Sequence, residues 1–87
     1  MKRGEYTIQN EDGVDIRTAE KFSDLASLFE ADIFLKHKNA EINVKSIMGF
    51  VSLTLSKGAK ITIEYDGFDE EEAFHKIEAF LFQHKLI

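Results

Sequence analysis

Lys60-Ile61-Thr62-Ile63-Glu64-Tyr65-Asp66-Gly67-Phe68-Asp69-Glu70-Glu71-Glu72-Ala73-Phe74 contains the change of hydrophobic period from which the architecture follows. Ile61, Ile63 and Tyr65 alternate with polar neighbours, the two-residue repeat of a strand with one buried face. Asp66-Gly67 is turn chemistry. Past it an acidic run opens a helix, with Ala73, Phe74, Ile77, Phe80 and Leu81 on one face at helical spacing.

The same two periods alternate upstream. Tyr6 and Ile8 read as a half-buried strand, and Asn10-Glu11-Asp12-Gly13 as a turn in which Gly13 can take positive φ. Ile16, Ala19, Phe22, Ala26 and Phe29 then fall at steps of three and four, an amphipathic helix starting at Asp15. Ile33 and Leu35 alternate again, Asn39 and its neighbours turn the chain, and Ile42 and Val44 belong to the next strand. Ser46 precedes an apolar cluster of two or three helical turns (Ile47, Met48, Phe50, Val51, Leu53), broken by Lys57-Gly58. The order is β-α-β-β-α-β-α, an α+β domain with three helices packed on one face of a four-stranded antiparallel sheet.

Composition bounds what such a domain can do. Its 87 residues make one domain, 1–87, and with zero Cys it has no disulfide, thiolate metal site or thiol nucleophile. The net charge of −5 is the wrong sign for a direct nucleic-acid binder. No signal-peptide core or membrane-spanning stretch is present, so a cytoplasmic protein without membrane attachment is expected. His37, His75 and His84 show no metal-ligand spacing and read as solvated side chains; neither metal nor cofactor is expected. The acidic run from Glu64 to Glu72 holds six acids in nine residues, and those from Asp69 to Glu72 suit the positive end of a helix dipole without a ligand.

Two helix starts carry the candidate chemistry. In Gly13-Val14-Asp15-Ile16-Arg17-Thr18-Ala19 unsatisfied N–H groups and the Arg17 guanidinium suit an anion, whereas Asp15 also suits an N-cap. In Lys45-Ser46-Ile47-Met48-Gly49-Phe50, Ser46 is either an N-cap or a phosphorylation site, where the added charge would meet a favourable dipole. Met48, Phe50 and Val51 exceed what one face of a short helix can bury, so part of the cluster is expected to be exposed as a docking patch.

At these two motifs the sequence resembles the histidine-containing phosphocarrier protein (HPr) family of the bacterial sugar phosphotransferase system, from about Tyr6 to Leu86. The most specific piece, Val44-Lys45-Ser46-Ile47-Met48-Gly49-Phe50-Val51-Ser52-Leu53, is similar to the family's regulatory-serine segment in Gram-positive bacteria. Ala73, Ile77 and Gly58-Ala59-Lys60-Ile61-Thr62-Ile63 fit the same pattern. The resemblance implies an open-faced β-sandwich. It also implies a degenerate acceptor site: in Gly-hydrophobic-His-Ala-Arg-Pro-Ala, Asp15 stands at the histidine position and Thr18 at the proline.

The catabolite-repression branch of the family, which lacks the histidine and keeps the serine, resembles this chain more closely in character. That implies no enzymatic activity, phosphorylation of Ser46 by HPr kinase/phosphorylase, and docking on a LacI-type catabolite regulator. Arg17, Glu20, Asp24, Ile47, Met48, Phe50 and Val51 would form the partner surface. Glu20 and Asp24 count against enzyme I as a donor, since they would repel its acidic surface. The alternatives are a phosphocarrier that uses Asp15, and an interaction module that has lost both phosphorylations. A monomer or weak homodimer is expected.

Overall fold

The computed structural model of the protein describes residues 1–46 and 55–87. Its elements are β1 (Lys2–Thr7), α1 (Ile16–Ala26), β2 (Asp32–His37), β3 (Ala40–Asn43), β4 (Lys60–Asp66) and α2 (Glu70–Gln83). The strands form one antiparallel sheet in the order β1-β4-β2-β3, with Tyr6 opposite Ile61, Leu35 opposite Ile63 and Ile42. The α+β reading and the four-stranded sheet hold. Two helices are described; the expected helix after Ser46 falls on residues 47–54, outside the described residues.

One sheet face carries Ile33, Leu35, Ile61, Ile63 and Tyr65, all buried against Ala19, Phe22 and Ala26 of α1 and Ala73, Ile77, Phe80 and Leu81 of α2. Burying a side chain the size of Leu or Phe contributes about 1.5–3 kcal/mol, so this layer holds the sheet and the helices together. The Phe22 and Phe80 rings, centroids 5.5 Å apart, join the two helices. The other face is polar: Glu64, central in the sheet, takes Lys36 at 3.0 Å and Arg3 at 3.8 Å.

The hydrophobic pattern overran the element ends. Ile8 lies just past β1, Phe29 past α1 and Val44 past β3, yet all three are buried. Each leaves the regular element but keeps facing the core: the Val44 N–H donates to Ile33 O at 2.9 Å, and the Ile8 N–H to Ala59 O at 2.9 Å. Periodicity reports burial, and burial continues into the first residue or so of a turn.

Loop contacts set the ends of the molecule. Gly67 packs so closely on Ala31 that a Cβ there would collide with the Ala31 backbone. The Asp69 carboxylate then accepts from the Ala31 N–H at 2.8 Å and the Glu30 N–H at 2.9 Å. The Asp69 side chain makes no capping hydrogen bond to its own helix; besides standing at the positive end of α2, it ties the α1–β2 loop to the start of that helix. Glu70 accepts from the Gly67 N–H at 3.1 Å and pairs with the Met1 ammonium at 3.1 Å, and Glu71 pairs with Lys2 at 3.4 Å.

Candidate functional site

Gly13 places the first helix start. Its φ of +70° suits glycine, and a Cβ would strike the Leu55 carbonyl, which accepts from the Val14 N–H at 3.1 Å. The chain therefore enters α1 braced on residues 55–56. Asp15 is the N-cap: extended at φ −86° and ψ 172°, it accepts the Thr18 N–H on Oδ1 at 2.8 Å. That bond, then one from the Thr18 hydroxyl, holds the carboxyl below its usual range, with Arg17 and Lys21 adding to the effect. Asp15 is exposed, so these influences are screened by solvent.

Arg17, Glu20 and Asp24 stand at steps of three and four along α1, all exposed, opposite the buried stripe of Ala19, Phe22, Ser23 and Ala26. The structure thus brings Asp15, Arg17, Glu20 and Asp24 onto one surface. Ile16 adds an apolar side chain, 57% exposed, at the start of the same helix.

Ser46 is exposed, and its N–H donates to Asn43 O at 2.9 Å. Ile47, Met48, Phe50 and Val51 lie outside the described residues. Lys45 anchors the segment that leads to them: its Nζ donates to Phe29 O at 2.7 Å, and its N–H to Asn43 Oδ1 at 2.9 Å. The Ser46 segment is thereby tied beyond the C-terminal end of α1, whereas Asp15 caps the N-terminal end. The anchoring role of Lys45 left no signal in the sequence, because a lysine reaching a carbonyl sixteen residues away has no local pattern.

The histidines are not uniformly solvated, which corrects the expectation. His84 stacks on Phe80 with centroids 4.3 Å apart, and His37 Nδ1 bonds Lys60 O at 3.0 Å. His75 is exposed, 3.9 Å from Glu71. Among the described residues no group of three or more His, Cys, Asp or Glu could hold a metal ion, and no helix is long and apolar enough to cross a membrane.

The architecture is that of solved phosphocarrier structures. It is similar to the histidine-containing phosphocarrier protein of Mycoplasma, at 28% identity over 99% of this chain and 98% of that one, with a TM-score of 0.96. It is also similar to HPr-C-His from Thermoanaerobacter tengcongensis, at 38% identity over 98% and 94% with a TM-score of 0.85. Crh, the Bacillus subtilis catabolite repression protein, described as a swapped, intertwined dimer, matches at 33% identity over 100% and 99% with a TM-score of 0.74. The family model described as the PTS HPr component phosphorylation site matches residues 2–83, and the chain belongs to the HPr family.

Proposed function

We propose that the protein is a regulatory member of the HPr family: a non-catalytic adaptor that is phosphorylated at Ser46 by HPr kinase/phosphorylase, docks on a LacI-type catabolite regulator, and does not relay phosphate to sugars. What carries this reading is the state of Asp15. A phosphoryl acceptor must offer a basic, accessible lone pair, and the Asp15 carboxylate has one oxygen committed to the Thr18 N–H and its basicity depressed by that bond. It also bears a negative charge that an incoming phosphoryl group must approach, with Glu20 and Asp24 exposed farther along the same helix.

Ser46 is the better placed of the two positions. Its side chain is exposed, and phosphorylation would add about −1.5 to −2 charges to the surface without disturbing the core. The similarity to Crh, a catabolite repression protein, supports the same assignment. Arg17, Glu20 and Asp24 would then set the charge pattern a partner meets, with Ile47, Met48, Phe50 and Val51 as its apolar anchors. The protein would act as a monomer or weak homodimer.

The test is intact mass after incubation with HPr kinase/phosphorylase and ATP. One phosphoryl group is expected on the protein and none on Ser46→Ala. An unmodified wild-type chain overturns the proposal. A hydroxylamine-sensitive adduct with enzyme I and phosphoenolpyruvate, lost in Asp15→Ala, would instead establish Asp15 as a carrier.

A further inference from the structure

His37, Lys38, Ser56, Gly58, Ala59 and Lys60 line an open cavity of about 540 Å³. Small-ligand sites occupy roughly 300–1,000 Å³, so its size suits a compact molecule. Three strands of hydrogen bonding hold its walls. His37 Nδ1–H donates to Lys60 O at 3.0 Å, fastening the end of β2 to the start of β4. Gly58 N–H donates to Ile8 O at 2.8 Å, and Ala59 N–H to Ser56 O at 3.0 Å, shaping the loop between. With Nδ1 committed to the carbonyl, Nε2 is the ring nitrogen left for other contacts.

The charge of this lining runs against that of the chain. In a protein of net charge −5, the cavity gathers His37, Lys38 and Lys60 and no carboxylate. Neither Lys38 nor Lys60 has an ion-pair partner among the described residues; the carboxylate that does reach this loop, Glu11, is held by Lys57 at 2.6 Å. Lys38 is moreover in the left-handed region at φ 55°, where Gly or Asn would sit with less strain. Positive φ is what the two-residue β2–β3 turn requires, and that turn holds this unpaired cation in the cavity lining.

We propose that this cavity binds a small phosphate-bearing anion. The Lys38 and Lys60 ammonium groups would supply charge, with His37 Nε2 and Ser56 Oγ as orienting groups. The absence of arginine from the lining favours a tetrahedral phosphate, met by point charges, over a planar carboxylate met by a fork. The site is distinct from Ser46 and does not depend on its modification. It does adjoin the Asp15 turn, since Ser56 packs against Gly13.

Titration with pyrophosphate at constant ionic strength, followed by amide and histidine-ring NMR, tests the proposal. Saturable shifts are expected at Lys38, Gly58 and Ala59 and in the His37 ring. Lys60→Gln and Lys38→Gly should each raise Kd about five-fold or more, as expected for losing one charge-assisted contact. Lys76→Gln, the same loss of charge on α2, should leave Kd unchanged. Lys38→Gly keeps the turn while removing the cation, so a folded variant with weakened binding separates recognition from structure. Non-saturating shifts, shifts spread over other lysines, equal weakening by Lys76→Gln, or undiminished binding by Lys38→Gly would each overturn it.

Discussion

Single side chains in this protein do their work across loops as much as within elements. Asp69 is the clearest case: a half-buried carboxylate shared by two backbone N–H groups from a loop nearly forty residues away. Those bonds, led by the one from Glu30, hold its pKa below the ordinary value. A carboxyl whose pKa is lowered on folding stabilises the fold above its unfolded pKa of about 3.9, and that contribution fades as pH falls through the folded value. Asp69→Asn keeps the shape but leaves one N–H facing an amide NH₂. Its melting temperature should lie a few degrees below wild type near neutrality, and the gap should narrow at a pH below the ordinary carboxylate range. Calorimetry at the two pH values reads this directly; an equal gap at both would show that charge is not involved. Tyr65 offers a contrast. Its wholly buried hydroxyl makes no well-formed hydrogen bond among the described residues, and the nearby Tyr6 hydroxyl is the polar group that influences it. Tyr6 instead donates to Glu78 at 3.0 Å, and burial first of all pushes its pKa up to about 12.

At the scale of elements, much was legible. The switch at Asp66-Gly67 from two-residue to helical spacing located β4 and α2, and Ile16 to Ala26 located α1, because each buries one continuous stripe. The ends were not legible, since Ile8, Phe29 and Val44 stay buried after their elements stop. The end of α2 shows why. Leu86 N–H bonds Leu81 O at 2.9 Å and Lys85 N–H bonds Phe82 O at 3.0 Å, the paired geometry that closes a helix over a left-handed residue. That residue is Lys85, at φ 57°, where glycine is the usual signal. Lys85→Gly should therefore raise stability by about 0.5–1 kcal/mol, as the backbone strain is relieved. Chemical denaturation would show it as a higher midpoint at unchanged slope; a lower midpoint would mean the lysine side chain contributes more than its backbone costs.

For the whole molecule, the candidate site was legible only as residues, not as an arrangement. Asp15, Arg17, Glu20 and Asp24 follow from the α1 period, but the Lys45 anchor, the Asp69 clamp and the basic cavity join segments far apart in sequence. None of these leaves a local trace, because each depends on where the sheet order brings the loops. That order, β1-β4-β2-β3, has a further consequence in time. Every pairing of β1 joins residues more than fifty positions apart, whereas β2 and β3 meet through a two-residue turn. Loop-closure entropy makes the distant pairing the slower to reward the chain. The hairpin should thus belong to the folding nucleus, with β1 zipping onto β4 after the rate-limiting barrier. Conservative truncations in β1, such as Thr7→Ser, should quicken unfolding and leave refolding rates nearly unchanged, and those at Leu35 should slow refolding. Stopped-flow chevrons decide it: slowed refolding from β1 variants would put the N-terminal strand in the nucleus instead. On this account β1, an edge strand of the described sheet, is the last of its four strands to find its place.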